Sequence, residues 1–399
     1  MTTTINNEHN KHNVPNLRFP EFQGEWKKTT IGDIADLYKG TGISKDQLSD
    51  DGEPCILYGE LYTKYKSETI REVISKTNID NTKLVRSKAN DVIIPCSGET
   101  AEDIATARCV LNGNILLGGD LNIIRLHGYD GAFMSYQLNG RRKYDIAKVA
   151  QGVSVVHLYG EHLKGVKTIN PCLEEQKKIA KLLSLLDERI ATQNKIIEDL
   201  KKLKSAIIEI EYTPNTKTTS HIGNVIEQIS KRNKNNAIQN VLSVSNRQGF
   251  IKQSDQFENR NVASEDTSNY KIVEKNDFAF NPARINVGSI ARLTTFENGI
   301  VSPMYICFRT QENVAPEYID FFFESKHFYC EIQKRLEGSV RQCLSFEGLC
   351  NIPFSLPSLE MQQRIGKRLF TLGQKIKTET DLLELLNKQK QYLLRQMFI

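Results

Sequence analysis

One helix-like segment occurs twice in this chain. "PCLEEQKKIAKLL" begins at Pro171, and "PSLEMQQRIGKRL" begins at Pro357, 186 residues further on. Aligned without gaps, residues 171–208 and 357–394 are identical at 14 of 38 positions. Apolar residues recur at three- and four-residue steps in both segments, which predicts two long amphipathic helices whose narrow stripes are typical of a coiled-coil seam.

The repeat extends upstream of the helices. Asn90-Asp91 corresponds to Asn276-Asp277 at the same offset, and Gly152 corresponds to Gly338. The repeated unit is therefore a globular domain of about 150 residues followed by a long helix, which is too long a period for a solenoid. The predicted division is a flexible tail (1–14), a first globular domain (15–168), a central helix (169–212), a second globular domain (213–355) and a C-terminal helix (356–399).

The short linker after the first helix limits how the two helices can run. Each predicted helix has about 40 residues and is about 60 Å long. The residues "TPNTKTTS" (213–220) span at most about 28 Å when extended. They cannot bring the chain back along a helix of that length, so the sequence predicts an antiparallel coiled coil and an approximate two-fold relation between the halves.

The globular domains have a mixed pattern. Strand-like runs are separated by helical stretches near 131–150 and 316–337. The expected fold class is α+β: two duplicated mixed domains separated by two long helices that form an antiparallel, pseudo-two-fold coiled coil. The strand-like runs are "PCILYGEL" (54–61), "DVIIPC" (91–96), "NVLSVS" (240–245), "DFAFNP" (277–282) and "GIVSPMYICFR" (299–309).

Composition narrows the class of protein. Charged residues make up 25% and hydrophobic residues 39% of the 399 residues, which is typical of a globular chain. No apolar run approaches the roughly 20 residues that span a bilayer, and the polar start "MTTTINNEHNKHN" does not fit a signal peptide. We expect a cytoplasmic protein whose eight cysteines, with no CxxC among them, are reduced thiols.

The sequence contains no recognisable catalytic signature. It lacks a GxxxxGK[ST] phosphate loop, an HExxH zinc motif and a glycine-rich cofactor loop after a strand. We therefore expect no catalytic, cofactor-binding or metal-binding residues and no enzymatic activity in this chain.

Two similar domains on a rigid spacer suit duplex DNA, because half-sites repeat along the double helix. The net charge of +5 is only weak support for a nucleic-acid partner. The alternative is a non-catalytic protein-interaction scaffold with two binding domains on a coiled-coil spacer. A nuclease or methyltransferase in a single chain would need a nucleotide or methyl-donor site that the sequence does not show.

These features together resemble the specificity subunit of type I restriction–modification enzymes. The two helix starts carry the resemblance, together with "YKGTGISK" (38–45), "NPARINVGSIARL" (281–293) and "LRFPEF" (17–22). The resemblance implies recognition of a bipartite site on double-stranded DNA. It also implies two methylation subunits and restriction subunits as partners, and S-adenosylmethionine, ATP and magnesium as cofactors of those partners.

Candidate DNA contacts are polar, basic and aromatic residues in segments predicted as loops. Arginine and asparagine read base edges, whereas lysine and serine more often hold phosphates. In the first domain the candidates are Tyr38, Lys39, Thr41, Ser44, Lys45, Lys64, Tyr65, Lys66, Arg141, Arg142 and Lys143. In the second domain they are Lys231, Arg232, Lys234, Ser245, Asn246, Arg247, Arg284, Asn286 and Arg341.

Overall fold

The computed structural model describes residues 13–80, 82–152, 155–213, 219–246, 248–256, 266–338 and 342–399. The chain forms two compact units. Residues up to 194 and residues 381–399 form the first unit, and residues 195–380 form the second. Each long helix therefore contributes one half to each unit. We call residues 13–170 the first head and residues 219–356 the second head. Residues 1–12 of the predicted tail lie outside the described part of the chain.

The first head is built from short strands and short helices. Its helices are α1 (Ile31–Ile34), α2 (Glu60–Thr63), α3 (Ala101–Ile104), α4 (Gly131–Asn139), α5 (Lys143–Val149) and α6 (Gly160–Lys164). Its strands are β1 (Lys27–Thr30), β2 (Ala35–Lys39), β3 (Leu48–Ser49), β4 (Glu53–Ile56), β5 (Thr69–Ile70), β6 (Ser75–Thr77), β7 (Asp91–Pro95), β8 (Ser97–Gly98), β9 (Arg108–Val110), β10 (Leu116–Leu117), β11 (Leu121–Leu126), β12 (Val156–His157) and β13 (Lys167–Asn170).

The second head and the two long helices complete the described structure. The long helices are α7 (Leu173–Tyr212) and α12 (Leu359–Gln396). The helices of the second head are α8 (Gln253–Gln256), α9 (Pro316–Phe322), α10 (Lys326–Gln333) and α11 (Phe346–Cys350). Its strands are β14 (Thr219–His221), β15 (Ile226–Ile229), β16 (Val241–Ser245), β17 (Gly249–Lys252), β18 (Lys271–Glu274), β19 (Phe278–Phe280), β20 (Ile290–Arg292), β21 (Asn298–Val301), β22 (Ile306–Thr310) and β23 (Pro353–Ser355).

The two heads share one sheet plan. A sheet ordered β2-β11-β7-β9 in the first head corresponds to β15-β22-β19-β20 in the second. A parallel pair recurs as well, with Cys55 of β4 opposite Leu116 of β10 and Val241 of β16 opposite Ile300 of β21. The first and last strands pair in each head, β1 with β13 and β14 with β23. The structure therefore confirms the duplicated α+β fold expected from the repeat.

The long helices run antiparallel, as the linker length predicts. In the first unit, Lys390 Nζ of α12 lies 2.7 Å from Asp187 Oδ1 of α7. In the second unit, Arg368 of α12 lies 3.6 Å from Glu211 of α7. As residue numbers rise along α7, those of the neighbouring segment of α12 fall.

The repeated Pro-x-Leu-Glu-x-Gln segment joins each helix start to its head through the glutamine. Gln176 Oε1 accepts from the backbone N–H of Asp130 at 3.0 Å, and Gln176 Nε2 donates to the carbonyl of Pro171 at 2.8 Å. Gln362 does the same with Ala315 and Pro357, at 3.0 and 2.9 Å. The recurrence of glutamine is therefore explained by two backbone groups that each glutamine satisfies.

At the C-terminal end of each long helix, an aromatic side chain packs into the hydrophobic core of a head. Phe398, just after α12, packs 5.1 Å from Phe133 in the first core. Tyr212, the last residue of α7, packs 4.7 Å from Tyr318 in the second core and donates its hydroxyl to the Tyr318 carbonyl. Each head thus takes the start of one long helix and the end of the other into its hydrophobic core.

The segment before β1 contacts the start of α7. Among the described residues, only the first unit has this contact. Arg18 donates to both carboxylate oxygens of Glu175, at 2.8 and 2.7 Å. The Glu175 side chain is fully buried. The equivalent position at the second helix start is Met361, which explains why "EEQ" and "EMQ" differ there.

Several predicted elements are shorter than the sequence patterns suggest. The predicted strand 54–61 ends at Ile56, and α2 begins at Glu60. The run 299–309 divides into β21 and β22, and the helical stretch 131–150 divides into α4 and α5. Gly140 separates those two helices and closes α4 with its backbone N–H on the Tyr136 carbonyl.

Candidate nucleic-acid interface

A matched ion pair holds the central strands of each head. Arg125 of β11 bonds to both carboxylate oxygens of Asp91 at 2.9 and 2.7 Å, and Arg309 of β22 bonds to both oxygens of Asp277 at 3.0 Å. Asp91 and Asp277 are buried. Bidentate pairs of this kind fix geometry as well as charge, so the loops that follow β7 and β19 leave rigid strands.

In the first head, the loop that follows β7 borders a groove. Two adjoining cavities of about 910 and 570 Å³ share Tyr58, Gly59 and Thr63. We call them together the first-head groove. One wall is formed by the loop that carries Ser44 and Lys45, and the other is formed by the segment after β7. The further lining residues include Gln47, Glu60, Lys64, Asp120, Tyr62, Ser97, Glu99, Asp103 and Val155.

A buried carboxylate braces the floor of the first-head groove. Glu60 accepts from the backbone N–H of Leu57 at 3.0 Å and from Lys64 Nζ at 2.6 Å, and the hydroxyl of Ser75 also donates to it. The ammonium group of Lys64 is therefore paired within the protein, although the side chain stays 36% exposed. Its charge is available to a phosphate only in part.

The structure brings three of the first-head candidates together in the groove: Ser44, Lys45 and Lys64. Ser44 caps the 3-10 turn of Lys45–Gln47 through a reciprocal hydrogen bond with Gln47. This cap fixes the loop and leaves the Lys45 side chain exposed. A rigid loop that presents an exposed lysine beside a groove suits a phosphate contact.

Other first-head candidates lie outside the groove lining. Tyr38 is 45% exposed and lies under the Arg125 guanidinium, 4.8 Å from it. Lys39 is exposed at the end of β2. The hydroxyl of Thr41 accepts from the backbone N–H of Val85, and Lys66 donates to the Tyr62 carbonyl.

Tyr65 is not a surface residue. It is 6% exposed, and its hydroxyl accepts from the backbone N–H of Ile74 at 3.2 Å. Burial raises the pKa of Tyr65 to about 12. The ring belongs to the hydrophobic core beneath the sheet, so the expectation that Tyr65 contacts DNA does not fit the structure.

The basic run 141–143 has a partner within the protein. Arg141 donates to the Arg395 carbonyl at 2.8 Å, and Arg142 donates to Ile399 O at 3.2 Å. Lys143 begins α5 and is half-buried. The two arginines therefore hold the segment that follows α12.

In the second head, four candidates gather where β16 and β19 lead into their loops. Ser245 ends β16 and Asn246 begins the loop that follows, while Arg284 and Asn286 belong to the turn that contains Ile285–Val287. The Ser289 hydroxyl, in the loop after β19, donates to the Val244 carbonyl of β16 at 3.2 Å. The two loops therefore lie side by side. We call Ser245, Asn246, Arg284 and Asn286 the second-head cluster.

The second-head cluster and the first-head groove occupy corresponding places. The loops after β2, β4 and β7 form the groove, and the loops after β16 and β19, the strands that match β4 and β7, form the cluster. The lengths of these loops differ. Residues 57–74 follow β4 before β6 begins, whereas three residues separate β16 from β17. The shared strands therefore present unlike surfaces at one equivalent edge.

The remaining second-head candidates lie beside β18. Arg232 donates to Asn269 Oδ1 at 2.8 Å, and Lys231 Nζ is 3.8 Å from a Glu274 carboxylate oxygen. Lys234 is exposed in the same loop. Arg247 and Arg341 fall outside the described residues.

Sequence reasoning missed several residues of the first-head groove, notably Tyr58, Tyr62 and Glu99. The segment 54–61 was expected to be a single strand, which would place alternate residues on opposite faces. The spacing of Tyr58 and Tyr62 was the available signal, because residues four apart lie on one face of a helical turn.

The described residues show neither a metal-site candidate nor a membrane span. No group of three histidine, cysteine, aspartate or glutamate side chains is placed to hold a metal ion in this part of the chain. Among the described helices, none combines the length and the apolar character that crossing a bilayer requires. All eight cysteines are free thiols, and four of them are buried.

The fold defines a duplicated two-headed protein, and comparison with known proteins identifies its family. The model of the type I restriction modification DNA specificity domain matches twice, at residues 23–202 and 207–388. The chain belongs to this family and carries two copies of the domain. It is a specificity subunit of a type I restriction–modification system, and its function is recognition of target DNA.

Two relatives and two solved structures match nearly the whole chain. The MjaVIII specificity subunit of Methanocaldococcus jannaschii is 25% identical, over 97% of this chain and 92% of the relative. The putative MjaX specificity subunit of the same organism is 24% identical, over 96% and 93%. An S subunit from M. genitalium has the same fold, with a TM-score of 0.62, 18% identity and coverage of 97% and 99%. A chain from a study of type I complex assembly has a TM-score of 0.50 at 14% identity, with coverage of 94% and 97%.

Proposed function

We propose that each head reads one half of a bipartite target on double-stranded DNA, the first through its groove and the second through its cluster. The observation that carries this proposal is the equivalent position of the two surfaces on matching strands, combined with their different loops. A shared framework presents each surface to DNA in the same way, and unlike loops make the two half-sites different in sequence.

The side chains divide into two kinds of contact. Lys45 is an exposed cation on a capped loop, which suits a phosphate. Arg284 carries a pair of donors that can recognise a guanine edge, and Asn286 carries a donor and an acceptor that can recognise an adenine edge in the major groove. Tyr58 is 39% exposed where the two cavities of the groove meet, so its ring and hydroxyl are available to a base edge.

The test uses the specificity subunit assembled with its methylation partners. We expect Tyr58→Ala to relax base preference in one half-site and Asn286→Ala to relax it in the other, each by about 1–3 kcal/mol per affected base pair. Lys45→Ala should weaken binding to all sequences and reduce the salt dependence by about one phosphate contact. Lys88→Ala, an exposed lysine of the first head outside the groove, is the matched control.

Genome-wide mapping of methylated bases reads both half-sites at once. If Tyr58→Ala and Asn286→Ala changed the same half-site, the assignment of one half to each head would be wrong. If Lys88→Ala weakened DNA binding as much as Lys45→Ala, the groove would not be part of the DNA interface.

We infer further that the chain is a non-catalytic adaptor that acts in the cytoplasm. S-adenosylmethionine, ATP and magnesium would then serve the partner subunits, two for methylation and others for restriction. The sequence supports this because it lacks the phosphate and methyl-donor loops that such chemistry uses. The purified chain, incubated with DNA and all three cofactors, should neither cleave nor methylate the DNA. Methylation should begin only when the methylation subunits are added.

Exposed apolar residues on α7 offer a docking face for those partners. In the second unit Ile196, Leu203 and Ile210 recur every seven residues and are 39, 50 and 75% exposed. Exposed apolar residues in such a row mark protein contacts. Leu203→Glu should prevent co-purification with a methylation subunit, while Lys202→Glu on the neighbouring exposed position should not.

A further inference from the structure

Lys390 lies between two carboxylates in the first unit. Its Nζ is 2.6 Å from Glu68 Oε2 and 2.7 Å from Asp187 Oδ1. The three side chains are only 16, 11 and 7% exposed. They belong to three separate parts of the chain: α12, the segment between α2 and β5, and α7. We call Glu68, Asp187 and Lys390 the buried ion cluster.

Neighbouring groups complete the hydrogen bonds and the charge balance of the cluster. Asp187 Oδ2 accepts from the Tyr136 hydroxyl at 2.7 Å and from the Ser67 hydroxyl at 3.1 Å. Arg108 supplies the second positive charge. Burial lowers the pKa of Arg108, and its attraction to Glu68 and Asp187 opposes that effect. Lys390 is therefore the cation that contacts both carboxylates, and Arg108 adds a second positive charge nearby.

The same segment of the first head reaches the groove at one end and the cluster at the other. Tyr58 and Lys64 line the groove, and Glu68 lies four residues after Lys64, in the non-helical segment that follows α2. Arg108 joins the two ends, because its guanidinium donates to the carbonyls of Leu61 and Tyr65. Displacement of the cluster would therefore displace the residues that line the groove.

The second unit has a simpler contact at the equivalent place. Lys204 corresponds to Lys390 in the repeat and bonds to Glu324 at 2.6 Å. Lys204 lies over the ring of Phe321 as Lys390 lies over that of Tyr136. Glu324 is 48% exposed and follows α9, the helix that corresponds to α4 of the first head.

The difference concerns where each lysine is anchored. In the second unit the lysine meets the common framework, whereas in the first unit it meets the segment 57–74 that the second head lacks. The place equivalent to Asp187 is Gly373, so α12 carries no carboxylate at that place. The further carboxylate that attracts Lys204 is Asp320 of α9, which also belongs to the framework.

We propose that the buried ion cluster positions segment 57–74 for base reading, so that recognition of the first half-site depends on contacts with both long helices. This proposal rests on the assignment of the first half-site to the groove. Glu68, Asp187 and Lys390 act as positioning residues, because they hold the segment that contacts DNA and do not contact DNA themselves.

The double variant Glu68→Gln with Lys390→Met tests the proposal in the assembled complex. It removes one charge of each sign and leaves Asp187 with its hydrogen bonds from the Tyr136 and Ser67 hydroxyls. We expect the preference for the correct bases in the first half-site to fall at least about tenfold, with the second half-site changed less than about twofold. Tyr136→Phe, which removes one hydroxyl from Asp187 and retains the ring, should give a smaller loss in the same half-site.

The matched control is Lys204→Met with Glu324→Gln, which removes the equivalent pair from the second unit. It should leave both preferences unchanged. Preferences are measured as methylation rates on duplexes with single base changes, and the first half-site is the one that Tyr58→Ala alters.

The outcomes separate a positioning role from other roles. Unchanged preference in the double variant and in Tyr136→Phe would overturn the proposal, and so would equal losses in both half-sites, since these indicate general destabilisation. If Tyr136→Phe lowered preference in the first half-site alone, it would support the proposal even where the double variant failed to assemble. Wild-type complex without any sequence preference would overturn the proposed function, and the positioning role with it.

Discussion

Gln176 and Gln362 make the same two hydrogen bonds in the two copies of the repeat. Each accepts from a backbone N–H at the start of a head helix and donates to the carbonyl of the proline that opens its own motif. Both glutamine side chains are almost fully buried. The repeated motif is thus a structural joint between helix and head.

Replacing either glutamine should destabilise the protein by a similar amount. Gln176→Ala and Gln362→Ala each leave a buried donor and a buried acceptor without a partner, at a cost of about 2–3 kcal/mol in free energy of unfolding. Urea unfolding of the full chain measures the loss. Gln363→Ala, at the exposed neighbouring position, should change stability by less than about 0.5 kcal/mol. A negligible change in the free energy of unfolding for either Gln176→Ala or Gln362→Ala would contradict the structural role of that glutamine.

Arg18 and Glu175 should behave as a coupled pair. Arg18→Met leaves a fully buried carboxylate uncompensated and should cost about 3–5 kcal/mol. The double variant with Glu175→Met should lose less, because methionine stands at the equivalent position of the second copy. A double-mutant cycle from urea unfolding measures the coupling, and additive losses would show that the two side chains act independently.

Asp320 should make stability depend on pH. Burial raises its pKa to about 6 even though Arg292 donates to it and Lys204 attracts it. The pKa is higher in the folded state, so the stabilising contribution is complete below the unfolded value near 3.9 and is lost as the pH rises through about 6.

Asp320→Asn should remove that dependence. The stability difference between wild type and variant should shift by about 1–2 kcal/mol between pH 4 and pH 7, a reduced range because the side chain is 32% exposed. Urea unfolding across that pH range provides the measurement, with Asp50→Asn at an exposed position as control. Parallel stability curves for wild type and Asp320→Asn would refute the assignment.

Arg141 and Arg142 should matter for stability rather than for DNA. Arg141→Ala and Arg142→Ala each remove a hydrogen bond to the segment after α12, and we expect a loss of about 1 kcal/mol for each. Salt dependence of DNA binding should remain that of the wild type. If DNA binding by either variant depended less on salt than that of the wild type, the arginine would contact DNA after all.

Periodic and local features were predictable from the sequence. The helix stripes, the shared motif at the two helix starts and the duplication all follow from spacing along the chain, and the antiparallel direction follows from a short linker. The carbonyl partners of Arg141 and Arg142 lie more than 250 residues away. A basic run on a predicted helix does not reveal so distant a contact.

The first-head groove escaped prediction for a related reason. Its walls come from three loops that the sheet brings together, and one of them was expected to continue a strand beyond Ile56. Tyr65 was misplaced because a tyrosine between two lysines looks exposed, while the turn of α2 directs its ring into the core.

The contact between Lys390 and Glu68 also bears on inheritance. These two residues are 322 positions apart, so a genetic exchange that replaced only the first head would separate them. A newly acquired head without an acid at that position would leave a buried lysine beside Asp187 alone. First heads should therefore be exchanged together with a compatible end of α12, whereas second heads can be exchanged more freely, and the two halves of the target would diversify at different rates.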